Sequence, residues 1–230
     1  MIRIPLSDEA SWLAERLKHV TASEVSVILG ENPWKTIDEL WEEKTGLREP
    51  KDLSDKEQIQ LGKAYEPIIR DEFSLLYKDR YDMEYHPYDI LCHDEHPFIS
   101  GTLDGELTDK RTGERGVWEA KSTTVRSKEE LQGWNHVIPR YYFSQVVAHL
   151  LITGWQFEIL TAKIIYQSGL YVEDTWIPDE FNTIYTKNYL FRATNDVVAE
   201  SMEYVRKRCC SFWLDHVLKR QRPATIILPF

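Results

Sequence analysis

The sequence predicts a mixed α/β domain of the α+β kind, with a central mixed β-sheet flanked by helices. Three observations predict it. The first third of the chain repeats apolar residues at helical spacing; the middle alternates strand-like runs with turn signals; and a helical stretch over 140–152 is followed by runs rich in Ile, Tyr and Val. No Pro/Gly/Ser-rich linker, repeat or low-complexity run divides the 230 residues, 42% of which are hydrophobic, so residues 1–230 are expected to share one core.

Taken in order, residues 8–18 read as a short helix, with Trp12, Leu13 and Leu17 on one side and Ser7 or Asp8 as cap. Thr21-Ala22-Ser23-Glu24 opens a second helix through Leu29, stopped by Gly30. Residues 37–44 form a third, ended by Thr45-Gly46, and 49–55 a polar loop. From 57 to about 78 a longer helix buries Ile59, Leu61, Tyr65, Ile68, Ile69, Phe73 and Leu76. Its Gly62 costs about 1 kcal/mol against alanine, which marks a close approach by a ligand or another backbone. Three strands, 81–92, 97–107 and 116–121, then form a meander. Residues 127–135 are a short helix or loop, and 140–152 a helix carrying Gln145 and His149 on one face. Residues 155–166 and 169–176 pair as a hairpin around Gln167-Ser168, and about 179–222 is expected to be helical.

The chemistry concentrates in Glu119-Ala120-Lys121 and in Asp104 of Gly101-Thr102-Leu103-Asp104-Gly105. On a strand the period of two places Glu119 and Lys121 on one face. A carboxylate there can hold a hard cation such as Mg²⁺, with Asp104 as a second oxygen ligand and the lysine directed at water. The same residues also suit a turn beside a solvated ion pair. Glu66, one turn beyond Gly62, can project toward this site or remain a surface carboxylate. Arg16 and Ser23 lie on either side of a helix break and can converge on one phosphate, or simply flank an ordinary capped helix. His93 and His96 read as solvated loop residues. The basic residues Arg206, Lys207, Arg208, Lys219, Arg220 and Arg222 suit either a phosphate backbone or a solvated face.

A formal net charge of −10 argues against non-specific coating of nucleic acid but not against a local basic groove. Cys92, Cys209 and Cys210 suggest neither a disulfide framework nor a zinc site. No apolar run of about 18 residues and no basic-then-apolar leader is visible, so an intracellular protein without a membrane span is expected.

The order of these motifs resembles the PD-(D/E)xK nuclease core, and in detail the phage lambda exonuclease and YqaJ-type viral recombinase family. The resemblance covers about residues 12–166. It rests on Arg16 with Thr21-Ala22-Ser23-Glu24, Leu40-Trp41-x-x-Lys44-Thr45-Gly46, Gly62-Lys63-x-Tyr65-Glu66, Asp104-Gly105, Glu119-Ala120-Lys121, and Tyr142-x-x-Gln145 followed by Thr153-Gly154. It implies that Asp104, Glu119 and the Ala120 carbonyl bind one or two Mg²⁺ or Mn²⁺ ions, with Glu66 completing the site. Lys121 would orient or activate the attacking water, and Gln145 would position Lys121 or the scissile strand, with Tyr142 lining the groove. Arg16 and Ser23 match the family's pocket for a DNA 5′-phosphate, and Arg126 lies close to another phosphate-binding position. Leu103 stands where the motif name has proline, and Ser122-Thr123 where Cys-Pro often follows the lysine.

The resemblance further implies 5′→3′ digestion of double-stranded DNA from its ends, a ring-shaped homotrimer around the duplex, a single-strand-annealing recombination protein as partner, and a phage or prophage origin in a bacterial cytoplasm. The alternatives are an endonuclease or single-strand-specific nuclease on the same core, and a non-catalytic module that binds DNA ends.

Overall fold

The computed structural model describes residues 1–224. Strand β1 (Ile2–Ile4) precedes helix α1 (Glu9–Arg16), whose cap Asp8 accepts from the Ser11 amide at 2.8 Å. Strand β2 (Val20–Thr21) runs through a 3₁₀ turn at Ala22–Glu24 into helix α2 (Val25–Ile28). Thr21 and Glu24 cap that turn reciprocally, and Glu24 accepts from the Thr21 amide at 2.9 Å. Helix α3 (Ile37–Lys44) has its own capping box, Thr36 with Glu39, and is followed by Gly46 at φ +72°, where a side chain would be strained. Helix α4 (Glu57–Tyr77) continues through Pro67, which offers no N–H to the turn before it.

Strands β3 (Tyr81–Glu84), β4 (Ile90–Cys92), β5 (Ile99–Gly101), β6 (Gly105–Asp109) and β7 (Arg115–Val125) follow. After helices α5 (Lys128–Gly133) and α6 (Arg140–Thr153) come strands β8 (Phe157–Tyr166), β9 (Gly169–Val172), β10 (Thr175–Pro178) and β11 (Thr183–Arg192). Helix α7 (Asp196–Ser211), capped by Asn195, ends in a π-helical turn at Phe212–Val217.

The main sheet has five strands in the order β11-β8-β7-β6-β3, with β7 and β8 parallel and the other neighbours antiparallel. A second sheet orders β1-β4-β5-β2. Strand β7 is covered on both sides. Trp118 and Ala120 pack with Ile69 and Phe73 of α4, whereas Val117 packs with Val147 of α6. Glu119 and Lys121 share the parity of Val117 and therefore face α6. Burying both faces of this strand is what carries two charged residues into the interior.

Four expectations need correction. Of the stripe expected to be buried on α4 only Ile69 and Phe73 are, while Ile59, Ile68 and Leu76 are exposed. The 81–92, 97–107 and 116–121 meander is split: β3 joins β6 in the main sheet, while β4 and β5 belong to the second. Pro87 breaks the first run, since it cannot donate to a ladder, and the chain changes sheets between Gly101 and Gly105. The hairpin around Gln167-Ser168 does not form. Instead β9 pairs with β10 across Glu173 and Asp174, whose φ values of 48° and 64° make the tight turn, and β8 pairs with β11. The helical region 179–222 is helical only from Asp196, because 183–192 is rich in β-branched and aromatic residues that suit a pleated surface and lack a helical stripe.

Candidate active site

A cleft of about 430 Å³ lies along α4, the end of β5, the middle of β7 and α6. Its walls bring together Arg16, Ser23, Glu66, Asp104, Glu119, Ala120, Lys121, Tyr142 and Gln145, so of the site residues expected from sequence only Arg126 is outside. Arg126 is exposed just past β7, and its amide donates to Glu130.

Strand β7 sets the centre. Lys121 Nζ donates to Glu119 Oε1 at 2.6 Å and to Gln145 Oε1 at 3.0 Å, while Gln145 Nε2 donates to the same Glu119 oxygen at 2.7 Å. The three side chains thus close a ring of hydrogen bonds, and the Tyr142 ring centre stands 5.1 Å from the ammonium. Burial works against charge on Lys121, but Glu119 and Asp104 outweigh it and hold the ammonium pKa above its ordinary value. Asp104 sits between β5 and β6, and its Oδ2 accepts the Ala120 amide at 2.9 Å. Burial, and then the charge of Glu119, push its carboxyl well above the ordinary range. Glu66, from α4, is raised by burial and by Asp104.

As oxygen donors these residues suit a hard divalent cation, and holding one needs their carboxylates drawn together, since the oxygens of Glu66, Asp104 and Glu119 do not all lie within 4.8 Å of one another. Glu119 Oε2 is buried without a hydrogen-bond partner, and Asp104 and Glu66 carry the signature of like charges that a cation would relieve. A separate group, Glu84, His86 and Glu106, brings three potential ligand atoms within 4.8 Å of one another. Both Glu106 oxygens are already engaged there, by Arg3 at 2.6 Å and Arg115 at 2.8 Å.

At another part of the cleft, Arg16 donates toward Ser23 Oγ at 3.3 Å and Thr21 Oγ1 at 3.5 Å, with its guanidinium 4.5 Å from the Trp12 ring centre. Trp12 is fixed in turn by a 2.7 Å bond to Thr102. Beneath them the buried Lys44 pairs with Glu24 at 2.8 Å and donates to the Arg16 carbonyl at 3.0 Å. A cation and two hydroxyls converging in this way suit an anion with several acceptor oxygens.

Sequence reasoning gave no role to three residues. Arg70 donates to the Asp104 carbonyl at 2.9 Å, pairs with Glu66 and stacks on Tyr85 at 3.4 Å. His149 and Glu158 lie behind Glu119, with His149 Nδ1 3.2 Å from Glu158 Oε1. The available signals were helical spacings, Glu66 to Arg70 and Gln145 to His149, each i,i+4. The basic residues near the C-terminus are engaged within the chain: Arg206 and Lys207 with Glu203, Lys219 with Asp215, Arg222 with Glu42, and Arg208 and Arg220 with the carbonyls of Ile28 and Thr45. His93 Nδ1 accepts the amides of Glu95 and His96, as befits a loop residue. No helix among the described residues is long and apolar enough to cross a membrane.

Residues 11–156, more than half of the chain, match the model of the YqaJ-like viral recombinase domain. The chain is 29% identical over 213 residues to the uncharacterized protein YqaJ of Bacillus subtilis (strain 168), a match spanning 93% of this chain and 58% of that protein. It therefore spans little more than half the length of that relative. Among solved structures, the alkaline exonuclease LHK-Exo of Laribacter hongkongensis superposes with a TM-score of 0.58 at 16% identity, over 92% of this chain and 97% of that one. The same enzyme in complex with dAMP gives 0.57 at 17% identity, with the same coverage. The expected fold is borne out as a mixed α/β core of the PD-(D/E)xK type with sheets flanked by helices.

Proposed function

The chain belongs to the YqaJ-like viral recombinase family, and from that premise we propose that it is a metal-dependent nuclease that digests linear double-stranded DNA 5′→3′ from its ends, leaving 3′ single-stranded tails for recombination. The observation that carries this reading is the meeting, in one cleft, of the Asp104/Glu119/Lys121/Gln145 cluster with the Arg16/Ser23 pocket. The fold shared with an alkaline exonuclease supports it.

Asp104, Glu119 and the Ala120 carbonyl would hold Mg²⁺ or Mn²⁺, with Glu66 alongside. Such an ion, when bound, supplies Lewis acidity toward a phosphodiester and lowers the pKa of water. The remaining work belongs to the chain's own groups. Lys121 presents a fixed positive charge to the negative charge that gathers on the phosphorus oxygens in the transition state, and its ring of bonds to Glu119 and Gln145 keeps it from rotating away. Arg16 and Ser23 grip the terminal 5′-phosphate and so fix the end and polarity of digestion; Tyr142 lines the path between. A ring of three copies around the duplex would let an acidic protein stay on DNA by enclosure. The 3′ tails would pass to a single-strand-annealing protein, in a bacterial cell that carries the phage or prophage.

The test is digestion of linear duplexes bearing a 5′-phosphate or a 5′-hydroxyl, in Mg²⁺ and in EDTA, with a closed circle alongside. Metal-dependent loss of linear DNA only, faster from the phosphorylated end, is expected. Cutting of the circle transfers the reading to an endonuclease, and no cutting under any metal refutes the nuclease assignment.

A further inference from the structure

Behind the cleft, His149 and Glu158 form a buried pair for which the chemistry above has no use. His149 lies on α6 one turn beyond Gln145; Glu158 lies on β8 opposite Val117, and Leu160 lies opposite Glu119. Glu119 and Glu158 are therefore diagonal neighbours on the sheet face that α6 covers. Their side chains are 3% and 0% exposed and that of His149 is 0% exposed. The imidazole Nδ1 stands 3.2 Å from Glu158 Oε1 and 3.9 Å from Glu119 Oε2. Glu119 Oε2, Glu158 Oε2 and His149 Nε2 have no hydrogen-bond partner. A Cβ on Gly101 would come 3.3 Å from the His149 ring, so the backbone has been brought close to admit it.

The fold itself does not ask for such a pair. Ile152 meets Gly101 at the same place as the His149 ring, and replacing a buried ion pair by apolar side chains is often neutral or stabilising. The pair's effect falls on Glu119. With the Nδ1 hydrogen given to Glu158, the ring stands between two carboxylates that would otherwise repel each other, and it faces Glu119 Oε2 without taking up its lone pairs. Lys121 and Gln145 meanwhile hold the other oxygen.

We propose that His149 and Glu158 are positioning residues that hold Glu119 with Oε2 free to accept a divalent cation. The inference rests on the metal-dependent reading above. Outer residues of this kind typically change metal affinity about 10–100-fold.

The test is Mn²⁺ binding without DNA, followed by the electron paramagnetic resonance signal of free Mn²⁺, in wild type, Glu119→Gln, Glu158→Gln and the His149→Leu/Glu158→Leu double variant. The double variant is expected to melt at or above the wild-type temperature while losing about 10–100-fold in affinity, a separation that a merely structural role would not produce. Wild-type affinity in the folded double variant overturns the inference and leaves the nuclease reading standing. If wild-type protein binds Mn²⁺ no better than Glu119→Gln, the metal-site reading falls and the inference with it. Should the double variant not fold, Glu158→Gln, which keeps the side chain's shape and removes the charge that sets the imidazole between two carboxylates, decides: weakened binding supports the inference and unchanged binding overturns it.

Discussion

Lys121→Ala separates chemistry from metal binding, because the structure gives the two effects opposite signs. The substitution removes the 2.6 Å ammonium bond to Glu119 and leaves Gln145 Oε1 without its 3.0 Å donor. Breaking a fully buried pair costs about 3–5 kcal/mol, but here Glu119 keeps the Gln145 amide, and Lys121 has a side-chain exposure of 18%. A loss of about 2 kcal/mol is therefore expected, equivalent to a fall in Tm of roughly 4–8 °C for a chain of this size. Turnover on linear duplex should fall by about 10²–10³, as on removing one electrostatic donor from a transition state. Mn²⁺ affinity should hold or tighten, since Glu119, Asp104 and Glu66 remain while a competing cation is gone. Release of mononucleotides, a gel shift of uncut DNA and calorimetric Mn²⁺ titration read these separately. Wild-type turnover in Lys121→Ala, or a collapse of Mn²⁺ affinity with the fold intact, would falsify the assignment of Lys121 to the chemical step.

Three further outcomes follow from the same geometry. Arg16→Ala should erase the preference for 5′-phosphorylated ends by raising their KM about 10–100-fold, which corresponds to a charge-assisted bond of about 1.5–3 kcal/mol, with 5′-hydroxyl ends hardly affected; an equal loss on both kinds of end would place Arg16 outside the phosphate pocket. Asp104 has a raised carboxyl pKa, so the folded state binds its proton more tightly than the unfolded one does, and its contribution to stability is present at low pH and lost as pH rises through the folded pKa. Melting with and without Mn²⁺ should therefore show a larger metal-induced rise in Tm on the alkaline side of that pKa; a rise independent of pH would contradict the assignment of Asp104 as a ligand. At Gly62 a Cβ would meet only Ser122 Oγ, at 4.0 Å, so Gly62→Ala should stabilise α4 by about 0.5–1 kcal/mol and keep activity, whereas Gly62→Leu should keep the fold and block the cleft. Full activity in Gly62→Leu would show that substrate does not pass this wall.

Legibility in the sequence followed the kind of signal each element carried. Helices α4 and α6 stood out because apolar residues recur along them at helical spacing, even though on α4 only Ile69 and Phe73 are buried, and β7 because Val117 to Lys121 alternates between two buried faces. Strand β11 did not, because much of its length is exposed and its Ile, Tyr, Leu and Phe residues report no inward face; its pairing with β8 fixes it, and pairing leaves no local mark. The sheet exchange at Thr102–Asp104 was hidden for a similar reason. Residues 97–107 satisfy a strand pattern throughout, and only the competition of β4 and β3 for different partners breaks the run.

In the site, the residues legible from sequence are those whose neighbours are close in the chain, such as Glu119 and Lys121, or those that sit in an ordered string of motifs, such as Arg16, Asp104 and Gln145. Those missed act across elements. Arg70 reaches the Asp104 carbonyl over 34 positions, and Glu158 meets His149 only because β8 returns beside β7 beneath α6. The basic residues near the C-terminus, whose role the sequence left open, pair with Glu203, Asp215 and Glu42 or with carbonyls. Positive charge in the cleft is carried by Arg16, directed at the Ser23 and Thr21 hydroxyls, and by Lys121, held by Glu119 and Gln145. On the proposed reading, a chain of net charge −10 meets its anionic substrate where those partners aim their cations, and this makes binding a matter of the cleft's geometry rather than of bulk charge.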